Sequence, residues 1–224
     1  MPGVDAERAY LQELTRRLET ALGQELVGVY AGGSYALGGY EPGRSDLDVA
    51  AIVRSRLAPS VAQRIIAAVR HEALPCPARK LELVVYTVEG AASGSVDASF
   101  ELNLNTGPDE FRADVEPQPG EGHWFAIDRS VLATHGIALV GPVAGEVFSS
   151  PERDELRPVL AEALRWYRRN EPESEDGLLN AGRALRFARE GVWTSKPAMR
   201  AWAREQHGAT SELLERAIAE LEAA

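Results

Sequence analysis

Two aspartates separated by one residue, Asp46 and Asp48, are the first feature of this sequence suited to chemistry. They stand at the start of an apolar run, residues 47–53, that has the pattern of a buried strand. Side chains two apart on a strand share a face, so both carboxylates are expected to project together. Neighbouring carboxylates repel and stay ionised together only if a cation lies between them. Magnesium fits, because it prefers one or two carboxylates plus substrate phosphates.

A glycine turn comes before the two aspartates. The apolar run 26–31 ends at Gly32 and Gly33, and Ser34 follows. Because glycine has no side chain, its backbone N–H groups can approach a phosphate closely. The hydroxyl of Ser34 adds a donor at the same place. Together the turn and the aspartates favour phosphoryl chemistry.

A third carboxylate, Glu82, lies in the branched run 81–88, which predicts a strand. A charge inside such an apolar strand is costly unless something pairs with it. If this strand lies beside the strand of Asp46 and Asp48, three carboxylates converge at one sheet edge, as metal-assisted phosphoryl transfer requires. The structural alternative is a solvated strand end and an exposed glutamate on a half-buried sheet.

The elements that must position these groups follow from hydrophobic periodicity. Helices are predicted at residues 5–23, 59–73, 124–134, 153–169, 177–189, 197–206 and 211–222, and strands at 26–31, 47–53, 81–88 and 100–104. Residues 90–122, rich in Gly, Pro, Ser and acids, are predicted to be irregular around the last strand. Because the pattern beyond Pro151 is helical only, we predict the α/β (α+β) class, with an α/β catalytic domain at 1–150 and an all-α bundle at 151–224.

The charge of the chain is unevenly distributed. The net charge is −10, and residues 89–146 hold 10 acidic residues against Arg112 and Arg129 alone. Without a basic stripe, nucleic acid is not an expected partner.

Neither a membrane span nor a signal-peptide core is present in the sequence, so we expect a cytoplasmic protein without membrane contact. The single Cys76 forbids an internal disulfide and excludes zinc sites built from cysteines.

The sequence resembles the nucleotidyltransferase (polymerase β-like) superfamily and, within it, the aminoglycoside adenylyltransferases of the streptomycin/spectinomycin type. The superfamily resemblance is carried by Gly33-Ser34, Ser45-Asp46-Leu47-Asp48 and Leu81-Glu82. The narrower one is carried by residues 137–142, Arg183, Gly191, Ser195-Lys196-Pro197 and Ala201-Trp202-Ala203. It covers nearly the whole chain and implies a small mixed sheet followed by a helical domain that closes the cleft for ATP and substrate.

The resemblance also implies roles for single residues. The phosphates of ATP and two magnesium ions would be bound by Gly33, Ser34, Ser45, Asp46 and Asp48. Glu82 would complete the metal site and act as general base on the acceptor hydroxyl. Arg183 and Lys196 would reach the triphosphate from the helical domain. Lys196 is also notable because the chain has only one other lysine, Lys80, although a surface lysine near a helix start is the simpler interpretation.

The acceptor side is less well defined by the sequence. Streptomycin-modifying members of the family carry a tryptophan where this chain has Asn103. The acidic segment is predicted to line a cleft for a polycation, with a solvated acidic loop as the alternative. Candidate substrate residues are Glu101, Asn103, Glu173 and Asp176, with Asp109, Glu110, Asp114 and Glu175 nearby.

We therefore expect a monomer that transfers AMP from ATP to a hydroxyl of a small cationic substrate. An aminoglycoside is the substrate that we expect first, and resistance to such antibiotics would then be one role of the protein. The alternatives are a different acceptor, such as a protein side chain or another small molecule, a dimeric assembly, and a nucleotide-binding module without turnover.

Overall fold

A six-stranded mixed sheet forms the N-terminal half of the computed structural model, which describes residues 2–97, 99–117, 122–172, 174–205 and 210–223. The strands are β1 (Leu26–Ala31), β2 (Leu47–Val53), β3 (Leu81–Thr87), β4 (Leu102–Thr106), β5 (Phe111–Asp114) and β6 (Ile137–Val140). The helices are α1 (Pro2–Leu22), α2 (Gly33–Ala36), α3 (Pro59–Val69), α4 (Val88–Ala92), α5 (Gly122–His135), α6 (Ala144–Val147), α7 (Arg153–Asn170), α8 (Glu175–Glu190), α9 (Lys196–Glu205) and α10 (Thr210–Glu222). The predicted α/β class with a helical C-terminal region is confirmed.

The strand order β5-β4-β3-β2-β1-β6 contains one parallel pair, β2 and β3, while the other neighbours are antiparallel. A parallel pair needs a crossover, and α3 provides it by carrying the chain from the end of β2 back to the start of β3. In the resulting register Asp48 lies directly opposite Glu82. The crossover therefore places the two carboxylates side by side.

The two faces of the sheet bury different cores. Leu47, Val49 and Ala51 of β2 pack into a core shared with α1 and α3. Ala50 and Ile52 belong to a second core on the opposite face, which α5 helps to cover. Because strand side chains alternate, residue 48 points toward the α5 side, and the same argument places residue 82 there.

Helix α5 also joins the sheet to the helical region. Phe125 and Leu132 pack on the sheet. Ala126 and Val131 pack with the apolar residues of α7, α8 and α10. Because α5 contributes to both cores, the packing does not separate the chain into two units near residue 150. The predicted division into domains 1–150 and 151–224 therefore stays a prediction. No helix in the described ranges is long and apolar enough to cross a membrane.

The segment predicted to be mostly irregular contains more structure than expected. Besides β4 it holds β5, a short, half-exposed strand without apolar periodicity to reveal it. Strand β4 begins two residues later than predicted, because Leu102 and Leu104 fill the core while Asn103 and Asn105 line the opposite face. Short helices α2, α4 and α6 were not predicted either.

Arg129 holds α5 in place and is fully buried. Its guanidinium donates hydrogen bonds to the carbonyl oxygens of Gly90, Ser95 and Asp97. It also lies over the ring of Tyr86, 5.8 Å from the centroid. Burial lowers the pKa of Arg129. The arginine thus replaces the hydrogen bonds that these loop carbonyls would otherwise make with water.

We expect Arg129→Met to lower the free energy of unfolding by about 3 kcal/mol, because it removes three hydrogen bonds to loop carbonyls, of which that to Gly90 is buried. For a chain of this size the Tm should fall by about 6–12 °C. The matched control is Arg189→Met, which removes an exposed arginine paired with Glu220 at 2.6 Å and should cost less than about 1 kcal/mol. Thermal unfolding followed by circular dichroism measures both, and equal shifts would contradict the anchoring role.

Candidate active site

A cleft of about 1180 Å³ opens between the α5 side of the sheet and helices α7, α8 and α9. Its floor is formed by the first residues of β2 and β3, where the acidic side chains stand. The structure brings together in the lining ten of the residues predicted from the sequence: Gly33, Ser34, Ser45, Asp46, Asp48, Glu82, Asn103, Asp176, Arg183 and Lys196.

Gly33 is required by the position of Asp48. Its φ of +48° lies in the left-handed region that favours glycine. A Cβ at this position would lie 1.8 Å from Oδ2 of Asp48. The backbone N–H of Gly32 donates to the Asp48 carbonyl oxygen at 2.8 Å, so the turn is tied to the start of β2. The glycine turn therefore leaves room for the Asp48 carboxylate at the cleft floor.

The hydroxyls of the two predicted serines have different surroundings. Ser45 Oγ accepts a hydrogen bond from the backbone N–H of Glu41 at 3.0 Å, which stabilises the loop before β2. Ser34 Oγ is buried and has no hydrogen-bond partner in the described part of the chain. A buried hydroxyl without a partner is costly, so Ser34 is the serine better suited to bind a ligand.

Negative charge accumulates on the cleft floor. Burial and, after it, the charges of Glu82, Asp128 and Asp46 raise the pKa of Asp48 well above its usual range. Burial followed by the charge of Glu82 raises the pKa of Asp128 to about 7. Arg183 is the cation that opposes both shifts. A set of carboxylate oxygens with this excess of negative charge fits a magnesium ion.

The three predicted metal ligands do not, however, form one closed group. Both oxygens of Asp46 accept hydrogen bonds from Arg79, at 2.7 and 2.6 Å. Glu82 pairs with Lys80 at 2.9 Å. Among the described residues no three acidic, histidine or cysteine side chains are arranged to hold one metal ion. Asp46 precedes β2, so strand alternation does not force its carboxylate to stand beside that of Asp48.

Arg79 should therefore compete with a metal ion for Asp46. Its side chain is 61% exposed and that of Asp46 is 15% exposed, which limits the pair to about 1 kcal/mol. We expect Arg79→Met to raise the affinity of the nucleotide-free protein for Mn²⁺ about fivefold. Calorimetric titration with Mn²⁺ measures this.

The control is Arg70→Met, which removes a comparable arginine bound to Glu72 at 2.7 Å, outside the cleft lining, and should leave the Mn²⁺ affinity unchanged. Unchanged or weaker Mn²⁺ binding by Arg79→Met would show that Arg79 does not compete with the ion.

Two basic residues of the helical region face the acidic floor. Arg183 is half-buried and donates to Asn180 Oδ1 at 3.0 Å, while its buried Nε has no partner among the described residues. Burial lowers the pKa of Arg183, and Tyr167, Asp48 and Asp128 oppose that effect. Lys196 begins α9 and donates to Asp176 at 2.9 Å. Both cations are placed where an anionic ligand in the cleft would meet them.

Ion pairs connect the loop before β2 to the helices across the cleft. Arg200 pairs with Glu41 at 2.6 Å and with Glu175 at 2.9 Å. Arg44 also pairs with Glu175, at 2.5 Å. The loop and α9 are so close that a Cβ on Gly39 would lie 2.6 Å from Cβ of Ser195. These contacts join the two walls at the cleft rim.

The predicted acceptor residues divide into three groups. Asn103 lines the cleft and accepts from Asn105 at 3.3 Å, and Asp176 lines it as the partner of Lys196. Glu101 lies outside the lining, because antiparallel pairing of β4 places it beside Val85, remote from Glu82. It accepts from Leu57 N–H at 2.8 Å instead, so an acceptor role for Glu101 is not supported. Outside the described residues lie Glu173 and the side chains of Ala201, Trp202 and Ala203.

Sequence reasoning missed several residues of the cleft. Asp128 and Trp124 are four residues apart on α5, and both line the cleft. Trp124 lies 5.7 Å from Trp166 and 6.0 Å from Tyr167, measured between ring centroids. The one available signal was an aspartate that follows the apolar residues 124–127 of the predicted helix. Arg79 and Lys80 were missed because ion pairing across a sheet edge leaves no periodic signal.

The chain is similar to known nucleotidyltransferases in one sequence segment and in its fold. Residues 11–91 match the family described as a nucleotidyltransferase domain. None of the curated proteins matches the sequence significantly. Among solved structures, one that is similar is spectinomycin adenyltransferase AAD(9) from Enterococcus faecialis, which was crystallised with ATP and spectinomycin. The match has a TM-score of 0.68 and 12% sequence identity, and it covers 96% of this chain and 99% of that chain. A toxin–antitoxin structure with AMP-PNP matches 72% of this chain and 93% of that one at 12% identity, with a TM-score of 0.33.

These findings confirm the predicted resemblance to nucleotidyltransferases of the aminoglycoside adenylyltransferase type. The likeness to the adenyltransferase extends over nearly the entire fold, including the helical region that forms the far wall of the cleft.

Proposed function

We infer that this enzyme of the nucleotidyltransferase type transfers the adenylyl group of ATP to a hydroxyl of a small cationic acceptor, of the aminoglycoside class. The observation that carries the proposal is the register of β2 and β3, which sets Asp48 beside Glu82 on the floor of a large cleft. The similar adenyltransferase was crystallised with ATP and spectinomycin, which supports this choice of substrates.

Asp48, Asp46 and Glu82 are the residues that would hold magnesium. When bound, the ion supplies Lewis-acid stabilisation of charge on the phosphoryl oxygens. The carboxylates have to be ionised to bind it, and Asp46 has to exchange Arg79 for the ion. Arg79, released in this way, stays at the rim as a further positive charge near the phosphates.

The triphosphate of ATP is assigned to the basic side of the cleft. Arg183 has an Nε–H without a partner in the described part of the chain, and a guanidinium matches phosphate oxygens in geometry and charge. Lys196 contributes an ammonium group from the start of α9, where it pairs with Asp176. Ser34 Oγ is the additional donor from the glycine turn. These three groups approach the nucleotide from both walls, and the two walls thereby orient it.

Glu82 is assigned as the general base. It takes the proton from the acceptor hydroxyl as that oxygen forms a bond to the α-phosphorus of ATP. The bond between the α-phosphorus and the bridging oxygen breaks, and pyrophosphate leaves. Lys80, which pairs with Glu82 at 2.9 Å and with Glu110 at 3.0 Å, holds the carboxylate at the floor before the acceptor arrives.

Incubation with ATP labelled on the α-phosphate, Mg²⁺ and a panel of aminoglycosides tests this function. We expect a labelled AMP–aminoglycoside adduct and one pyrophosphate per adduct, both lost when EDTA removes the metal. Label on the protein itself would indicate a protein side chain as acceptor. Absence of labelled adduct with every aminoglycoside would refute the proposed substrate class.

A further inference from the structure

The proposed reaction leaves one half-buried carboxylate of the cleft without a task. Asp128 projects from α5 toward the floor, where its charge acts on both Asp48 and Glu82. In the described part of the chain no hydrogen bond or ion pair to this carboxylate is found. A third or fourth negative charge at one site destabilises the fold, so Asp128 calls for a functional explanation.

The neighbouring cations do not provide that explanation. Arg129, the next residue, is directed away and donates to the loop carbonyls of residues 90, 95 and 97. Arg183 acts on Asp128 only through its charge, which it shares with Asp48. Since Arg183 is also assigned to ATP, only the charge of Arg129, whose hydrogen bonds go to the loop, is left to oppose that of Asp128 in the working site.

A second, independent observation lies on β3. Tyr86 is fully buried at the base of the cleft, and its hydroxyl has no hydrogen-bond partner among the described residues. It is four residues from Glu82 and on the same face of the strand. Burial and, after it, the charge of Asp128 raise the pKa of Tyr86, and both residues line the cleft. Two polar groups without partners in the described part of the chain thus line the same cleft as the general base.

Aromatic rings complete the surroundings of Asp128. Trp124 precedes it by one helical turn on α5, and Trp166 and Tyr167 of α7 contact Trp124 edge to face. All four residues line the cleft. A carboxylate beside aromatic surfaces is the arrangement that binds ammonium groups in water-excluded sites.

We propose that Asp128 is a specificity-determining residue that binds an ammonium group of the acceptor, with Trp124 packing beside that group and Tyr86 completing its polar surroundings. This inference rests on the proposed function, since it assigns the position of the acceptor in the same cleft. The ammonium supplies the positive charge that Asp128 lacks, and it brings a neighbouring hydroxyl of the acceptor toward Glu82. An acceptor without an ammonium group cannot make this contact with Asp128.

Equilibrium binding separates this inference from the reaction itself. Spectinomycin, kanamycin and their N-acylated forms are titrated by calorimetry into the full chain with Mg²⁺ and a non-hydrolysable ATP analogue. We expect wild type to prefer the free amines, and Asp128→Asn to weaken their binding about tenfold or more while leaving the acylated forms unchanged. Asp128→Glu should restore part of the preference. Asp154→Asn, an acid-to-amide change on the exposed start of α7, is the matched control.

The inference is overturned if Asp128→Asn weakens free and acylated amines equally, if it changes neither, or if wild type binds none of the four compounds. Thermal unfolding shows whether the variant folds, and removal of one repelling charge should not lower its Tm. Adenylyl transfer is measured separately. If amine binding depends on Asp128 but no adenylyl transfer occurs, the proposed function is refuted and the inference stands. If adenylyl transfer occurs and does not depend on Asp128, the inference is refuted and the proposed function stands.

Discussion

Asp48→Asn should lower kcat about a thousandfold and at the same time raise the Tm of the metal-free protein. The loss of activity follows because a bound metal contributes several kcal/mol to the transition state, and each 1.4 kcal/mol or so is a factor of ten in rate. The gain in stability follows because desolvation and the charges of three other carboxylates disfavour the ionised form of Asp48. We therefore expect the same charge to support catalysis and to destabilise the fold.

The stability that Asp48→Asn gains over wild type should increase as the pH rises. The pKa of Asp48 is raised in the folded protein, so the folded state holds the proton more tightly than the unfolded state. Wild type therefore loses stability as the pH rises from about 4, the ordinary pKa of aspartate, to the raised native pKa. Asparagine does not titrate, so the difference in Tm between variant and wild type should grow over this window and vanish below it.

Thermal unfolding between pH 4 and pH 8, with and without Mg²⁺, measures both effects. Saturating Mg²⁺ should raise the Tm of wild type, because a ligand that binds only the folded state stabilises it. It should leave the Tm of Asp48→Asn nearly unchanged. A variant less stable than wild type at pH 8 would contradict the electrostatic account, and a variant that keeps wild-type kcat would remove Asp48 from the metal site.

Glu82→Gln should lower kcat by about 10²–10⁴-fold, the usual contribution of a general base, with little change in the KM for ATP. Glutamine keeps the shape of the side chain and an oxygen that accepts from Lys80, so the floor of the cleft should stay intact. Steady-state kinetics with the accepted aminoglycoside measures both constants.

Glu110→Gln is the matched control for Glu82→Gln, because Glu110 pairs with the same lysine at 3.0 Å but is about half exposed and lies outside β3. Its kcat should change less than about threefold, which is the scale expected for a surface ion pair. If both variants lose activity equally, the charge balance around Lys80 is responsible and Glu82 is not the base. A Glu82→Gln variant as fast as wild type would exclude the base assignment outright.

Local sequence patterns predicted much of the secondary structure. The runs 26–31 and 47–53 are β1 and β2 as predicted, because compact apolar runs between turn residues have few other solutions. The long C-terminal helices agree within a few residues, since amphipathic periodicity over many turns is a strong signal. Strand β5 and helix α6 have four residues each, too few for a period to be recognised.

The sequence by itself determined which side chains have the means for phosphoryl transfer: a glycine turn, two aspartates at the start of one strand and a glutamate inside another. Only the tertiary structure decided how these groups are used. Four features depend on contacts between segments distant in sequence: the parallel register that sets Asp48 against Glu82, the pairing of Asp46 with Arg79, the position of Glu101 outside the cleft lining and that of Asp128 within it. Periodicity reports which face of an element is buried, but the partner that covers that face is selected by packing of the whole chain.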